Sequence, residues 1–581
     1  MLKDVYAFAK RYGLAPAKNC KDKKLAAYVV LSENGQYSHI EVIDKQSRVP
    51  IPCPDIGTYS FQAKCSNPIA EKKGFIFPVL QENAEIPSKH VAWMQIMEDG
   101  AEHVPILKIV YRYLSQVETD AKIKSQLQNE FNSVKIKDAD FISFRVGNIY
   151  LPDDTSWISW FNQYVDENYA KNTDAKYIVS SITGQTVESI PEKGAPMVNA
   201  SATGTGVYPI TIGEPAFESY GMEKNLGANI GLNEDKMISA GLEYLLKNGT
   251  NYNNNFGIIH WYEEEVEEDI IADSIDSSMD EGLEDRLNAM FSGNTSPDRA
   301  LRRSKYYISR FSVPTKGRMF LSEMHIGIYN ELCRNLLKWY QDSTIEVKTF
   351  DKETKQWITS KQCIKKIFQI FFSLISTSSS HVNQLTYTDK LNAVDHEFGT
   401  AKTELLYNIY DGKQIPKIFL RKAIERFAKD LTLDQRVNYT AVKIIHVYQE
   451  RSQRMEDAGT KAYACGQMFA VYEQIQLASN DWKEVGNGIT QRYFIAVQRT
   501  PQSIFPEIAN LSVAHLNKIK NIGTKNFYRA QLGKIAEKIG SEFPKRFTDE
   551  EKGEFILGYY VQRNSYLKDK TENSNNNEEE K

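Results

Sequence analysis

The side chains best suited to chemistry are cations, and they cluster. Between Lys413 and Arg563 there are 24 Lys/Arg against 16 Asp/Glu, a local net of +8 in a chain whose total is −4. Four to six of Lys518, Lys520, Lys525, Arg529, Lys534, Lys538, Lys545 and Arg546 on one face of a helical bundle would make a sequence-independent track for single-stranded DNA. Arg492, Arg499 and Arg563 are further phosphate partners. For any single residue a solvated helix face explains the charge equally well. In Arg302-Arg303-Ser304-Lys305-Tyr306-Tyr307-Ile308-Ser309-Arg310-Phe311, with Lys316 and Arg318 behind it, bases interleave with aromatics. That pattern suits pairing with phosphates and stacking on bases, or a plain exposed basic strand. Lys64, Asn67, Lys72 and Lys73 lie in a proline-rich stretch and read as a basic surface loop. Gly204 and Gly206, in Ser201–Gly206, let a backbone approach a phosphate closely, or form a flexible turn.

The motifs of enzymes are missing. There is no H-E-x-x-H, CxxC pair, Gly-x-Ser-x-Gly or P-loop. The expectation is a non-catalytic protein with no metal and no cofactor. Glu263 to Asp285 holds 12 carboxylates and no base. A two-metal nuclease needs carboxylates converging from a rigid core, whereas a run of like charge repels itself into solvent. A metal-dependent nuclease and a purely structural subunit are the rival readings.

Elements must position these groups. In the last third, apolar residues recur every three or four positions, as in Cys465, Phe469, Tyr472 and Ile475, which predicts a bundle of short helices. Thr500-Pro501, Phe505-Pro506 and Phe543-Pro544 are read as breaks between them. The first 262 residues mix both periods: a helix from Leu2 to Tyr12, and a hairpin Leu25–Leu31/Tyr37–Ile43 turning at Asn34-Gly35 in a type I′ turn. Pro50, Pro52 and Pro54 predict an extended loop. A helix follows from Val104 to Gln128, then a hairpin Phe141–Val146/Ile149–Leu151, a helix Trp157–Tyr164 with a core-facing aromatic side, and strands at Tyr177–Ile182 and Ile258–Tyr262. The fold class is therefore α+β: a mixed domain with antiparallel hairpins, then an all-α bundle. Expected divisions are 1–262, a disordered acidic insertion 263–300, a basic strand segment and linker 301–400 containing Ser376 to Ser380, a bundle 401–570 and a disordered tail 571–581.

With 41% hydrophobic and 25% charged residues, the composition is that of an ordinary soluble protein. No apolar run reaches the roughly 18 residues a membrane span needs. No secretory signal opens the chain, and six scattered cysteines suit reduced thiols, so a cytoplasmic location is expected.

Six segments form an ordered set: Gly412 to Pro416, Asn438 to Lys443, Ala462 to Gln476, Gln491 to Phe494, His515 to Lys518 and Phe555 to Arg563. In order and spacing they resemble the C-terminal half of the large subunit of the type I-C CRISPR Cascade complex, although Val561 stands where that family usually has histidine. Glu192-Lys193-Gly194, Ser201–Gly206 and Ala216 to Gly221 resemble the family's central motif, which adds Lys193 to the candidates. The resemblance also places the loop of Lys64, Asn67, Lys72 and Lys73 near the element that touches the duplex flank of the target, which makes these four candidates too. The resemblance implies CRISPR RNA, duplex target DNA and the displaced single strand as ligands. It implies backbone and guide-handle-binding subunits and a helicase-nuclease as partners, with roles in reading the target-flanking motif and in R-loop formation. It also implies an internally translated small subunit, for which Met455 is the candidate start, giving a product of 127 residues.

Overall fold

The computed structural model describes residues 1–14, 19–56, 64–80, 85–169, 176–190, 198, 227–253, 256–276, 282–291, 299–312, 320–321, 324–375, 386–433, 437–452, 460–482, 486 and 488–567. Lys193, Gly204, Gly206, Lys316, Arg318, Met455, the serine cluster at 376–380 and the tail 571–581 lie outside them. Two compact units form, one from Met1–Asn248 and one from Gly249–Ser312 with Leu321–Lys581. The class is α+β, with small sheets carrying antiparallel hairpins first and mostly helices after.

In the first unit, α1 (Leu2–Arg11) precedes β1 (Cys20–Lys24), β2 (Ala27–Leu31), β3 (Tyr37–Val42) and β4 (Pro50–Pro54). β2 and β3 pair antiparallel, but only Gly35 takes a left-handed φ, +81°. Ser32 N–H donates to the Gln36 carbonyl at 2.8 Å, so the turn is a longer loop and not the two-residue type I′ form. The proline stretch is a strand too, antiparallel to β1. Its prolines alternate with Ile51 and Cys53, so the three nitrogens without hydrogens face one side and leave the other free to bond.

The chain then adds β5 (Glu71–Lys72) and crosses through α2 (Ser88–His103), α3 (Pro105–Thr119) and α4 (Ala121–Val134). Asp120 splits the long helix expected there, its carboxylate accepting from the Lys122 N–H at 2.8 Å as an N-cap. β6 (Phe141–Val146) returns parallel to β2, as a helical crossover allows, and β7 (Ile149–Tyr150) folds back on it. Every residue of β2 is buried, because helices and loops cover both faces. Trp93, Tyr113, Phe77, Phe144 and, from α5 (Trp157–Asn168), Phe161 fill the core.

In the second unit, β8 (Thr250–Asn253), β9 (Phe256–Tyr262), β10 (Lys305–Ser312) and β11 (His325–Ile328) form an antiparallel sheet. The acidic segment is not an extended insertion over its described residues. It forms α6 (Ile270–Asp276) and α7 (Leu283–Phe291), which bury Ile270, Ile271, Ile275, Leu283 and Leu287. Several of its acids are engaged: Arg286 pairs with Glu268 at 2.7 Å and Asp273 at 3.2 Å, and His260 with Asp269 at 2.7 Å.

After α8 (Arg299–Arg303) and α9 (Tyr329–Asp342) comes a separate hairpin, β12 (Ile345–Asp351) with β13 (Gln356–Gln362). Helices follow: α10 (Ile367–Leu374), α11 (Tyr387–Phe398), α12 (Ala401–Tyr410), α13 (Lys417–Thr432), α14 (Tyr439–Arg451), α15 (Lys461–Ser479), α16 (Ile489–Arg499), α17 (Pro501–Lys518), α18 (Ile522–Ile539) and α19 (Asp549–Ser565). Pro501 opens α17 and Pro544 follows α18, but Pro506 sits inside α17. So near the N-terminus it removes a single helical hydrogen bond, to the exposed Gln502.

The centre of the bundle is the crossing of α15 and α19. A Cβ at Gly466 would overlap the Phe555 carbonyl oxygen, and one at Gly558 would overlap the Tyr463 carbonyl oxygen. Glycine at both positions therefore lets the two backbones touch. Phe469, Phe494, Phe555 and Tyr559 interlock around the crossing, with ring centroids 5.3–5.9 Å apart.

Candidate nucleic-acid interface

The proline-rich loop loses two of its four candidates. Asn67 is buried, and its Oδ1 accepts the Ile56 N–H at 2.9 Å. Lys73 pairs with Asp138 at 2.8 Å and donates to the Ile136 carbonyl at 3.2 Å. Both hold the loop together. Lys64 is exposed, and Lys72 is half-buried with its ammonium 6.0 Å from the Phe75 ring centre.

The basic-aromatic segment also divides. Arg302 and Arg303 are exposed on α8, but β10 is paired with β9 on one side and β11 on the other, and Tyr306, Tyr307 and Phe311 are buried. Tyr307 stacks on Trp261 at 5.0 Å. Those rings are core and cannot receive a base. Arg310 is half-buried near Lys402; burial first, and then the Arg310 charge, push the Lys402 ammonium down to about 8. Lys402 is nonetheless ion-paired to Asp395.

Within the bundle the cations fall into two classes. On α13, Lys417 pairs with Glu550 at 2.7 Å, Arg421 with Asp549 at 2.7 Å, Lys422 with Glu397 at 2.8 Å and Arg426 with Asp430 at 3.1 Å. Arg563 belongs with these. Its guanidinium lies 3.5 Å from Glu473, which also accepts from the Tyr559 hydroxyl at 2.9 Å and the Thr490 hydroxyl at 3.1 Å. It is a brace for a buried carboxylate, which removes it from the phosphate partners.

From Ile489 to Phe547 the balance is different, with ten Lys/Arg against three Glu. Arg492, Arg499, Lys518, Lys520, Arg529, Lys534, Lys538, Lys545 and Arg546 are exposed, Lys525 is half-buried, and among the described residues none of the ten has an ion-pair partner. One of the three acids, Glu507, accepts from the Tyr493 hydroxyl at 2.7 Å. Asn521 caps α18 by accepting the Thr524 N–H at 3.1 Å, which fixes where the helix starts.

At roughly 100° per residue, Lys525 and Arg529 fall on one flank of the buried stripe Tyr528, Ile535, Ile539, and Lys534 and Lys538 on the other. Between the two rows the outer pole carries Asn526, Ala530, Gly533 and the exposed acid Glu537, and nothing stands within 4 Å of a Cβ placed at Gly533. Two rows of cations beside a low ridge can follow a phosphodiester without reading its bases. Phe527, exposed on the flank of Lys534 and Lys538, was not among the residues expected to contribute.

His515 lies at the foot of α17. Burial and the nearby Lys518 hold its imidazole below the usual range, and Ser479 lies 3.1 Å from Nδ1. Among the described residues, no three of His, Cys, Asp and Glu gather as metal ligands would, and no helix is long and apolar enough to cross a membrane.

No curated protein matches the chain. The family model described as CRISPR-associated protein (Cas_Csd1) matches residues 2–567, nearly the whole length. The basic bundle and the mixed sheet unit are thus parts of one family's architecture, and the chain belongs to the Cas_Csd1 family of CRISPR-associated proteins, the large subunits of type I-C Cascade complexes.

Proposed function

We propose that this large subunit works without catalysis of its own, in the cytoplasm, as the DNA-handling scaffold of its complex. The sheet-rich unit reads the motif flanking the target in duplex form and seats on the subunit that holds the guide RNA handle. The helical bundle holds the displaced strand in the R-loop, and a helicase-nuclease partner cuts. The observation that carries this reading is the set of ten unneutralised cations on α16 to α18 and the loops beside them. Sequence specificity then comes from base pairing to the guide, and the protein supplies shape and charge.

A salt titration of the purified chain with labelled single-stranded and duplex DNA tests it. With EDTA present, binding should persist without cleavage, and its logarithm should fall linearly with that of salt concentration. Cleavage that EDTA abolishes would establish the nuclease instead. A product starting at Met455 would carry α15 to α19 whole, including the glycine crossing, but would lack α13 and α14, whose Phe427 packs on Phe494 and Tyr559 and whose Gln449 donates to the Glu550 carbonyl at 2.8 Å. Expression of the unmodified gene should give this second product, and Met455→Leu should remove it.

A further inference from the structure

We propose that the hairpin β12–β13 is a stacking finger for unpaired bases of single-stranded DNA, set beside the basic face of α18; this rests on reading that face as a DNA track. Phe350 and Trp357 lie directly opposite one another, ring centres 5.5 Å apart and edge to face. Phe350 is 50% exposed, and on the opposite face of the hairpin Ile358 is 48% exposed. Trp357 is half-buried, but folding gains little from the Phe350 ring left in water, so its position needs another reason.

The finger is stiff and its foot is anchored. Asp351 accepts the Glu353 N–H at 2.9 Å and the Thr354 hydroxyl at 2.7 Å, and Lys355 closes the turn at a left-handed φ of +54°. The Tyr560 hydroxyl donates to the Glu346 carbonyl at 2.8 Å, and the Lys348 ammonium to the Leu567 carbonyl at 2.5 Å. Next to Leu567, the Tyr566 ring meets Tyr528 of α18 at 6.2 Å, within the turn bounded by Lys525 and Arg529. The foot of the finger and the middle of the cationic helix therefore share one support.

The charges around the tip select the occupant. At the tip Lys352 and Lys355 are exposed beside the exposed Glu353, while Asp351 is taken up by the turn; among the described residues neither lysine is in an ion pair. A protein docking on the apolar tip would desolvate those ammonium groups, whereas a phosphodiester neutralises them while its bases stack on the rings.

The test uses the full chain and a labelled single-stranded DNA oligonucleotide across a salt series. Phe350→Ala with Trp357→Ala should weaken binding about ten-fold while leaving the salt slope unchanged, because stacking releases no counterions. Phe350→Tyr with Trp357→Phe should restore it, and both variants should melt like the parent. Unchanged affinity in the alanine variant overturns the finger, as does an equal loss on blunt duplex DNA; a larger loss on RNA overturns the assignment to DNA. Lys525→Glu with Arg529→Glu separates the two readings, since it should lower affinity and slope together. If it changes neither while the alanine variant still weakens binding, the finger stands and the track falls.

Discussion

Two helices of the same bundle, α13 and α18, are both rich in lysine and arginine, with five cations against two acids in one and four against one in the other. On α13 four of the five are ion-paired, with Asp549 and Glu550 at the start of α19 and with Glu397 and Asp430. On α18 none is. The first helix uses its charge to hold neighbours in place, and the second leaves its charge facing solvent. A regional excess of +8 is therefore a sum of unlike parts, and only the unneutralised part points to nucleic acid.

The comparison can be broken at several points. The largest effect is expected for Gly466→Leu, which drives a side chain into the backbone of α19 and removes the support under both helices; it should abolish the cooperative thermal transition of the bundle. Reversing Lys525, Arg529, Lys534 and Lys538 to glutamate should lower affinity for single-stranded DNA about 100-fold and flatten the salt slope by about 3, with melting unchanged. Arg426→Ala should do the opposite. It leaves the buried Asp430 without its cation, destabilises the bundle by about 3 kcal/mol and leaves the salt slope untouched. A loss of DNA affinity there, with stability intact, would erase the distinction between the helices.

Arg421→Ala removes a more exposed pair, so a shift within about 1 kcal/mol is expected in a denaturant titration. The smallest effect is on acid stability. Burial pushes the Asp549 carboxyl up, but hydrogen bonds from Arg421 and Lys552 outweigh it and hold the group below its usual 3.8. A folded value below the unfolded one contributes stability above pH 3.8 that is lost as pH falls through the folded value. Asp549→Asn should flatten that part of the acid limb and leave neutral-pH binding unchanged.

The helices and hairpins were legible because their periods are local. The family was legible too, and the structure explains why: Gly412 takes a φ of +66° against Asn335, Asn438 caps α14, and Gly466 and Gly558 make the crossing. Those fragments are architectural and contribute little to the cationic face. The acidic segment was misjudged because twelve carboxylates obscured Ile270, Ile271 and Ile275, whose spacing buries one side of a helix. The aromatics of β10 looked available because a sequence does not show that both edges of a strand are paired. Arg563 and Lys73 looked like free cations because their acidic partners, Glu473 and Asp138, are distant in sequence.

α15 and α19 cross with their backbones in contact and run in the same direction, with Tyr463 against Gly558 and Glu473 against Arg563. Chain that leaves at Ser479 comes back at Asp549, and the whole cationic stretch lies between those two points. Because the paired glycines fix the frame from within, the exposed residues of the intervening helices carry none of the burden of holding α15 and α19 together.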